Sequence, residues 1–331
     1  MKDVTTLKKI SQLLNISIST VSRALKDHPE ISKITKQRVM EMAAKLEYVP
    51  DANAVQLRTS NSKILGLMVP SISFYFYDSF IASVEEECRK IGYSLLILQS
   101  SDDPAMEINN LKICRQNRIT GLFICITPRT KDIKSFLKLD ESGIPVIFFD
   151  KVPPYEACNK VCLADAEAAR ISADAIIEKK KKKVLAIFGD MHLSITQKRL
   201  KAFTETFEKE KSKPKLVMAH AHDADDARAK TFENLSLKNR PDTIFCMSDE
   251  ILTGALKAIQ LLKLKIPEDV SVISISNGFI PKLFYPEITY VETSGYKLGK
   301  LAFKRMIDCI GGKTFLQTVT LESILVKGGS L

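Results

Sequence analysis

From Ile64 onward the chain repeats one pattern: a short, almost wholly apolar run rich in β-branched residues, then an amphipathic stretch long enough for a helix. The runs are "ILGLMVP", "YSLLILQS", "GLFICIT", "PVIFFD", "VLAIFGD", "KLVMAH", "TIFCMS" and "VSVISIS". A strand with one wet face alternates apolar and polar residues. Runs this uniformly apolar need cover on both faces, which is the condition of parallel strands with helices above and below. Segments such as "DSFIASVEEECRKIG" and "DEILTGALKAIQLLKL" supply those helices. The expected fold class here is α/β with doubly wound parallel sheets, and the length allows two such lobes.

The first fifty residues follow a different period. Leu7, Ile10, Leu13 and Leu14 recur at spacings of three and four and share a helix face that Thr5 or Thr6 can cap. Asn15 breaks the pattern and tolerates left-handed angles, after which Ser17 can cap a second helix that buries Val21, Ala24 and Leu25. A third helix begins at Ser32, with Ile34, Val39, Met42, Ala43 and Leu46 as its stripe. The result is an N-terminal all-α helix-turn-helix domain over residues 1–50. In the second helix, "SISTVSRAL", Ile18, Ser19, Ser22 and Arg23 are left facing away from the core. A bland surface helix carries Glu and Lys. The hydroxyls of Ser17, Ser19, Thr20 and Ser22 suit phosphate oxygens at close approach, and Arg23 can meet guanine O6 and N7 as a fork. The segment reads as a helix for the DNA major groove; the competing reading is that its serines only cap and back-bond a surface helix.

The stretch from "LKKISQLLNISISTVSRALKDHPEIS" to "ILGLMVP" resembles the N-terminus of the LacI/GalR family of bacterial transcription regulators, including the S-x-x-T-V-S-R core of its recognition helix. The likeness continues through "IPVIFFDK", "RLKAF", "PDTIFCMSDEILTGALKAIQLLKLKIPEDVSVISIS" and "PEITYVETSGYKLGKLA", in the family's order. The resemblance implies a two-lobed, periplasmic-binding-protein-like core over residues 63–331. Lobe 1 would span about 63–160 plus 294–325, and lobe 2 about 161–293. It further implies a homodimer on a pseudopalindromic double-stranded DNA operator, with a sugar-like or other polar small-molecule effector held between the lobes. Thr5 joins the expected DNA-contacting set.

Residues 51–62 follow Pro50 and are small and polar, as in a linker. In the family the matching segment folds on DNA into a hinge helix whose leucine enters the minor groove. By resemblance Leu57 is that leucine and Ala54 the small residue before it. Asp51 and Val55 depart from the family's usual Asn and Arg. The other reading of Leu57 is as cover for the core.

Ligands of doubly wound sheets bind beyond the carboxyl ends of the strands. Those ends offer the aromatics of "SFYFYD", Thr127, Arg199, Asp249 and Asn277. The family resemblance singles out Phe74, Phe76, Tyr77 and Arg199 for the effector. Ser276 and Asn277 stand where many relatives have Asp-Asp, so a common carboxylate contact to sugar hydroxyls is missing.

A net charge of +10 favours an anionic partner without deciding it, since solvated lysine faces are common. The run Lys179–Lys183 reads as such a face at a helix end. Seven cysteines, with no C-x-x-C pair, read as reduced and space-filling. The start "MKDVTTLKK" is not a signal peptide and no apolar run reaches a membrane span, so the expected location is the bacterial cytoplasm, at the nucleoid. An alternative is a metal-dependent hydrolase built on His220 and His222, but no histidine follows to complete a ligand set. Neither a P-loop, a G-x-G-x-x-G nor a G-x-S-x-G motif occurs. No enzyme, cofactor or metal is expected. A small-molecule-binding protein without DNA function is the other alternative, and it leaves the N-terminal helices unexplained.

Overall fold

The computed structural model describes residues 6–48, 62–73, 75–210, 214–313 and 315–331. The chain divides into two compact units, Met1–Ser62 and Lys63–Leu331.

The first unit is built from α1 (Leu7–Leu14), α2 (Ile18–Leu25) and α3 (Lys33–Lys45). Each helix starts on a hydroxyl that accepts an orphan backbone N–H: Thr6 from Lys9, Ser17 from Thr20, Ser32 from Thr35. Asn15 ends α1 at φ 54°, the left-handed position its side chain tolerates. Ile10, Val21, Ala24, Val39 and Ala43 close the core, with Leu7, Leu14, Leu25, Met42 and Leu46 packed around them. Two residues expected in that core are outside it. Ile34 is 73% exposed and Leu13 56% exposed. At about 100° per residue, the five-residue step from Ile34 to Val39 carries Ile34 to the far side of α3. In α1 the buried arc runs through Ile10, Leu14, Leu7 and Ser11, and Leu13 falls beyond its edge.

The second unit holds two six-stranded sheets. The first comprises β1 (Ile64–Val69), β2 (Ser94–Gln99), β3 (Gly121–Ile124), β4 (Val146–Phe149), β5 (Asn159–Leu163) and β11 (Thr318–Leu321). It is parallel throughout, in the order β11-β5-β4-β3-β1-β2. Its helices are α4 (Tyr75–Lys90), α5 (Pro104–Gln116), α6 (Lys134–Glu141) and α11 (Gly295–Ile310). The second comprises β6 (Lys183–Phe188), β7 (Lys215–His220), β8 (Thr243–Cys246), β9 (Ser271–Ser276), β10 (Thr289–Glu292) and β12 (Ile324–Val326). Its order is β12-β10-β9-β8-β6-β7, parallel except for β12 against β10. Here the helices are α7 (Asp165–Glu178), α8 (Ser194–Glu208), α9 (Ala224–Leu235) and α10 (Asp249–Leu261).

Burial follows strand position. Every residue of β3, β4, β5, β8 and β9 is buried, as strands covered on both faces must be. β2 and β7, read from sequence as equally covered, are sheet edges with partly exposed residues along their length. The lysine run leads from the end of α7 into β6 as a turn, and Lys181 reaches Ser271 at 2.6 Å. All seven cysteines are free thiols, six of them buried.

The backbone passes between the lobes three times: from β5 to α7, from β10 to α11, and from β11 to β12. The last crossing is two residues long, Glu322 and Ser323, because β11 and β12 lie on the facing edges of their sheets. The chain thus returns to the second sheet at Ile324, where the sequence reading kept residues up to 325 in lobe 1, and β5 keeps the first sheet going to Leu163.

Glycines permit two tight helix contacts. A Cβ on Gly295 would lie 2.3 Å from the Phe76 carbonyl oxygen, where α11 crosses α4. One on Gly254 in α10 would lie 2.1 Å from the Ala224 carbonyl oxygen, at the start of α9. On an open helix Gly→Ala gains up to about 1 kcal/mol. Here overpacking outweighs it: Gly254→Ala is expected to lower stability by about 1–3 kcal/mol, read as a lower urea midpoint at unchanged slope.

Candidate functional site

The first unit presents α2. Ser17 accepts the Thr20 N–H at 3.0 Å, and its hydroxyl lies 2.7 Å from that of Ser19 and 2.8 Å from that of Thr20. The capping role and the exposed hydroxyl cluster therefore coexist at one helix N-terminus, a place whose free N–H groups and dipole favour phosphate. Ile18 and Ser19 are exposed, and Ser22 and Thr20 half-buried. Arg23 is exposed and reaches Glu30 at 2.9 Å. An exposed pair of this kind is worth about 0–1 kcal/mol. That is less than the roughly 1–3 kcal/mol by which a bidentate arginine–guanine contact discriminates. Sequence reasoning missed Glu30, whose only signal was an acid seven residues beyond the arginine. Thr5, Ala54 and Leu57 lie outside the described residues.

The second unit holds a cavity of about 480 Å³ between its lobes. In both sheets the strand order reverses beside a central strand, β1 in one and β6 in the other, and such reversals open a crevice at the carboxyl ends. Ser73 and Tyr75 after β1, Gly189 and Asp190 after β6, and Met247 and Ser248 after β8 all line it. Of the residues expected from sequence, Phe76, Tyr77, Arg199 and Asp249 line this cavity. Phe74 lies outside the described residues.

Their partners define what each can do. Tyr77 donates its hydroxyl to Asp150 Oδ2 at 2.9 Å, with Cys125 Sγ 3.3 Å away. Burial raises the Tyr77 phenol well above its usual range, and Asp150 adds to the shift, so it stays a donor. Phe76 packs edge-on to the Tyr77 ring at 5.5 Å. Asp249 accepts the Ser276 hydroxyl and, at 2.9 Å, the Asn277 N–H. Its carboxyl is raised by burial, against the pull of those two donors.

Arg199 is buried. Its Nε and Nη2 donate to Asp165 Oδ1 at 2.9 and 2.7 Å, and its Nη1 donates to the Met247 carbonyl at 2.7 Å. Burial raises the Asp165 carboxyl while Arg199 pulls it down. Three of the five guanidinium N–H donors are thereby committed inside the protein, leaving the rest for the cavity. Removing either partner strands a buried charge. Arg199→Ala and Asp165→Asn are each expected to cost about 3–5 kcal/mol, and the double variant less than their sum, measured by chemical unfolding.

Two expected residues are placed elsewhere. Thr127 gives its N–H to Glu107 at 2.7 Å and pairs its hydroxyl with Thr130 at 2.9 Å, so it faces a smaller adjoining space of about 200 Å³. Asn277 spends its amide on the Tyr75 carbonyl at 2.7 Å, across the two lobes. Beside it the Tyr75 and Phe279 rings stack at 4.9 Å, which makes a clasp at the rim. His220 sets Nδ1 3.2 Å from the Gly189 carbonyl, and His222 lines the cavity. Among the described residues no three metal-donor side chains gather. Asp102, Asp150, Lys151, Asp165 and Glu250 were missed. The end of the "VIFFD" strand pointed to Asp150 and, just beyond it, Lys151, but the remaining three carried no distinguishing signal.

A cleft between two doubly wound lobes, in one chain with a capped helix-turn-helix, defines a DNA-binding regulator with a small-molecule pocket. The comparisons agree. The profile of "Bacterial regulatory proteins, lacI family" matches residues 6–51, and that of the "Periplasmic binding protein-like domain" matches residues 173–331. The HTH-type transcriptional repressor PurR of Haemophilus influenzae (strain PittEE) is 26% identical over 312 residues, 93% of this chain and 92% of that protein. The PurR of Vibrio vulnificus (strain CMCP6) is 23% identical over 310 residues, again 93% and 92%. The lac repressor dimer bound to operator and the anti-inducer ONPF superposes with a TM-score of 0.87 at 18% identity, over 99% of each chain. The complex of the transcriptional regulator CelR with cellobiose gives 0.71 at 19%, over 98% of this chain and 99% of that one. The chain belongs to the lacI family of bacterial regulatory proteins. It is a DNA-binding transcriptional regulator and not an enzyme. No helix among the described residues is long and apolar enough to cross a membrane.

Proposed function

We propose that the protein is a homodimeric repressor whose affinity for a pseudopalindromic operator is set by a polar small molecule in the interlobe cleft. The observation that carries the reading is the cavity of about 480 Å³ at the switch points of both sheets, in the same chain as the helix-turn-helix. Phe76 offers the ligand an apolar face, while Asp249, Asp150 and the remaining N–H groups of Arg199 offer polar contacts. On DNA, Ser17, Ser19, Thr20 and Ser22 serve phosphate and near-base contacts, Ile18 packs in the groove, and Arg23 reads a guanine. Thr5 adds a backbone contact, and Leu57, with Ala54 one turn before it, wedges the minor groove at the operator centre. The work is done at the nucleoid in the bacterial cytoplasm.

Two symmetric recognition helices demand matched half-sites about one helical turn apart. Selection of bound sites from random DNA should return such a palindrome. With Arg23→Ala the same selection should lose discrimination at one base pair per half-site, by about 1–3 kcal/mol. Unaltered specificity would remove Arg23 from the base-reading role.

The effector can change DNA affinity only by binding the DNA-competent and incompetent states unequally, and DNA must then change effector affinity by the same factor. Arg199 is a poor probe of this link, because its loss also strands Asp165. Phe76→Ala is cleaner. It should keep ligand-free operator binding near wild type and weaken effector binding at least tenfold, seen by calorimetry with and without operator once a metabolite panel has supplied a ligand. Full affinity and full response in that variant would move the effector elsewhere.

A further inference from the structure

The cleft opens at the carboxyl ends of the strands, and the opposite end of lobe 2 is strongly basic. There its four helices finish and the chain turns into β6, β7, β8 and β9, over residues 178–183, 208–215, 235–243 and 261–271. These four connections hold thirteen Lys and Arg against six Asp and Glu, a net +7 of the chain's +10. Because β9, β8, β6 and β7 are parallel neighbours, the turns lie side by side across roughly 15 Å at the usual strand spacing. Hydrogen bonds join them. The Lys215 N–H donates to the Lys182 carbonyl at 2.8 Å, Lys181 Nζ to the Ser271 hydroxyl at 2.6 Å, and Lys183 Nζ to the Asn239 carbonyl.

Helix ends account for only part of this charge. A helix C-terminus presents about half a negative charge, so four of them call for about two cations. Lobe 1 shows how little the fold itself requires. Its matching connections after α4, α5, α6 and α11, residues 90–94, 116–121, 141–146 and 310–318, hold three cations and one acid. The backbone differs in the same direction. Past the ends of α4, α6 and α11 the left-handed position is a glycine, Gly92, Gly143 and Gly312 at φ 71°, 86° and 92°, with Arg118 after α5 the exception. Past α7 and α10 the same position is Lys180 and Lys263, at φ 51° and 56°. Glycine adopts that conformation freely and lysine at a cost, so these cations sit where the backbone favours no side chain at all. Lys179, Lys180, Lys182, Lys215, Lys238 and Lys263 are exposed, and their ammonium groups make no ion pair among the described residues. Two of the nearby acids are spent elsewhere: Asp242 accepts the backbone N–H groups of Lys182 and Lys183, and Asp269 pairs with Arg240.

The chemistry of the surface selects among polyanions. Its four connections contain no Phe, Tyr, Trp or His, so they offer neither a platform for unstacked bases nor an aromatic anchor for a membrane. All but one of the thirteen cations are lysines, point charges on flexible stems that meet phosphate without reading a base. We propose that this end of lobe 2 is a second, sequence-independent contact for the phosphate backbone of double-stranded DNA, additional to the recognition helix α2. It adds affinity for any duplex within reach, and with a steep dependence on salt, because each phosphate it neutralises releases counterions.

The test uses the full chain and a random-sequence duplex of about 40 base pairs, with affinity measured by fluorescence anisotropy across a salt series. One variant combines Lys180→Gly, Lys182→Ser, Lys238→Ser and Lys263→Gly. Its control removes four exposed lysines from lobe 1, by Lys112→Ser, Lys131→Ser, Lys138→Ser and Lys304→Ser. The lobe 2 variant should bind the duplex at least tenfold more weakly at low salt, with a slope of log K against log salt shallower by about 2–4, while the control stays near wild type. Equal losses in both variants would reduce the effect to net charge, and no loss in the lobe 2 variant would leave duplex binding to α2 alone; either result overturns the proposal. So would phosphatidylglycerol vesicles that bind wild type and not the lobe 2 variant while duplex affinity is unchanged, which would give the face to a membrane. The pair Lys180→Gly and Lys263→Gly separates this contact from a role in the helix ends. It should raise the melting temperature and still flatten the salt slope by about 1–2. A lower melting temperature, or an unchanged slope, would overturn the proposal.

Discussion

A guanidinium and a carboxylate withdrawn from water hold the floor of the cleft together. Asp165 stands two residues past the end of β5, where the chain has just crossed between lobes. Arg199 comes from α8, and the carbonyl that takes its third bond comes from the residue after β8. One pair therefore ties a crossing, a helix and a strand end. Charges desolvated this far are held by each other and by the hydrogen bonds around them, so neither can leave without exposing the other. Asp249, two residues beyond that carbonyl, is fixed where Ser276 and the Asn277 backbone can reach it. Because both Arg199 bonds to Asp165 fall on the same carboxylate oxygen, the guanidinium plane is tethered but not fully enclosed, and part of it remains available to the cavity.

The architecture was readable because it rests on coarse periods. Apolar runs covered on both faces imply parallel strands, and the three N-terminal helices announced themselves by caps and spacing. The strands that escaped did so for identifiable reasons. β5 opens on Asn159 and Lys160, the latter buried with only 8% exposure, which shortens the apolar run although the strand lies inside the sheet. β11 and β12 are short edge strands: in β11 threonines alternate with Val319 and Leu321, and β12 is apolar but only three residues long. In the cleft, sequence located the strand ends but not the direction in which side chains turn there. Phe76, Tyr77, Arg199 and Asp249 reach the cavity, whereas Thr127 is drawn to Glu107 and Asn277 to the Tyr75 carbonyl. Those choices depend on partners twenty residues away or on the opposite lobe, and no local pattern encodes them.

The interleaving of the lobes has a consequence for how the chain is made. The first sheet begins at Ile64 but is not complete until β11 ends at Leu321, after α11 has come back to pack on α4. The second sheet waits for β12, which ends at Val326. A ribosome therefore leaves both lobes unfinished until β11 and β12 have been made, by which point the three-helix unit has long since emerged. Domains that close early can fold as they are synthesised. The recognition helices have that opportunity, but the cleft does not. While the two sheets are still being made the nascent chain can already present a folded DNA-reading surface, and the part that governs it is completed only once β12 has emerged.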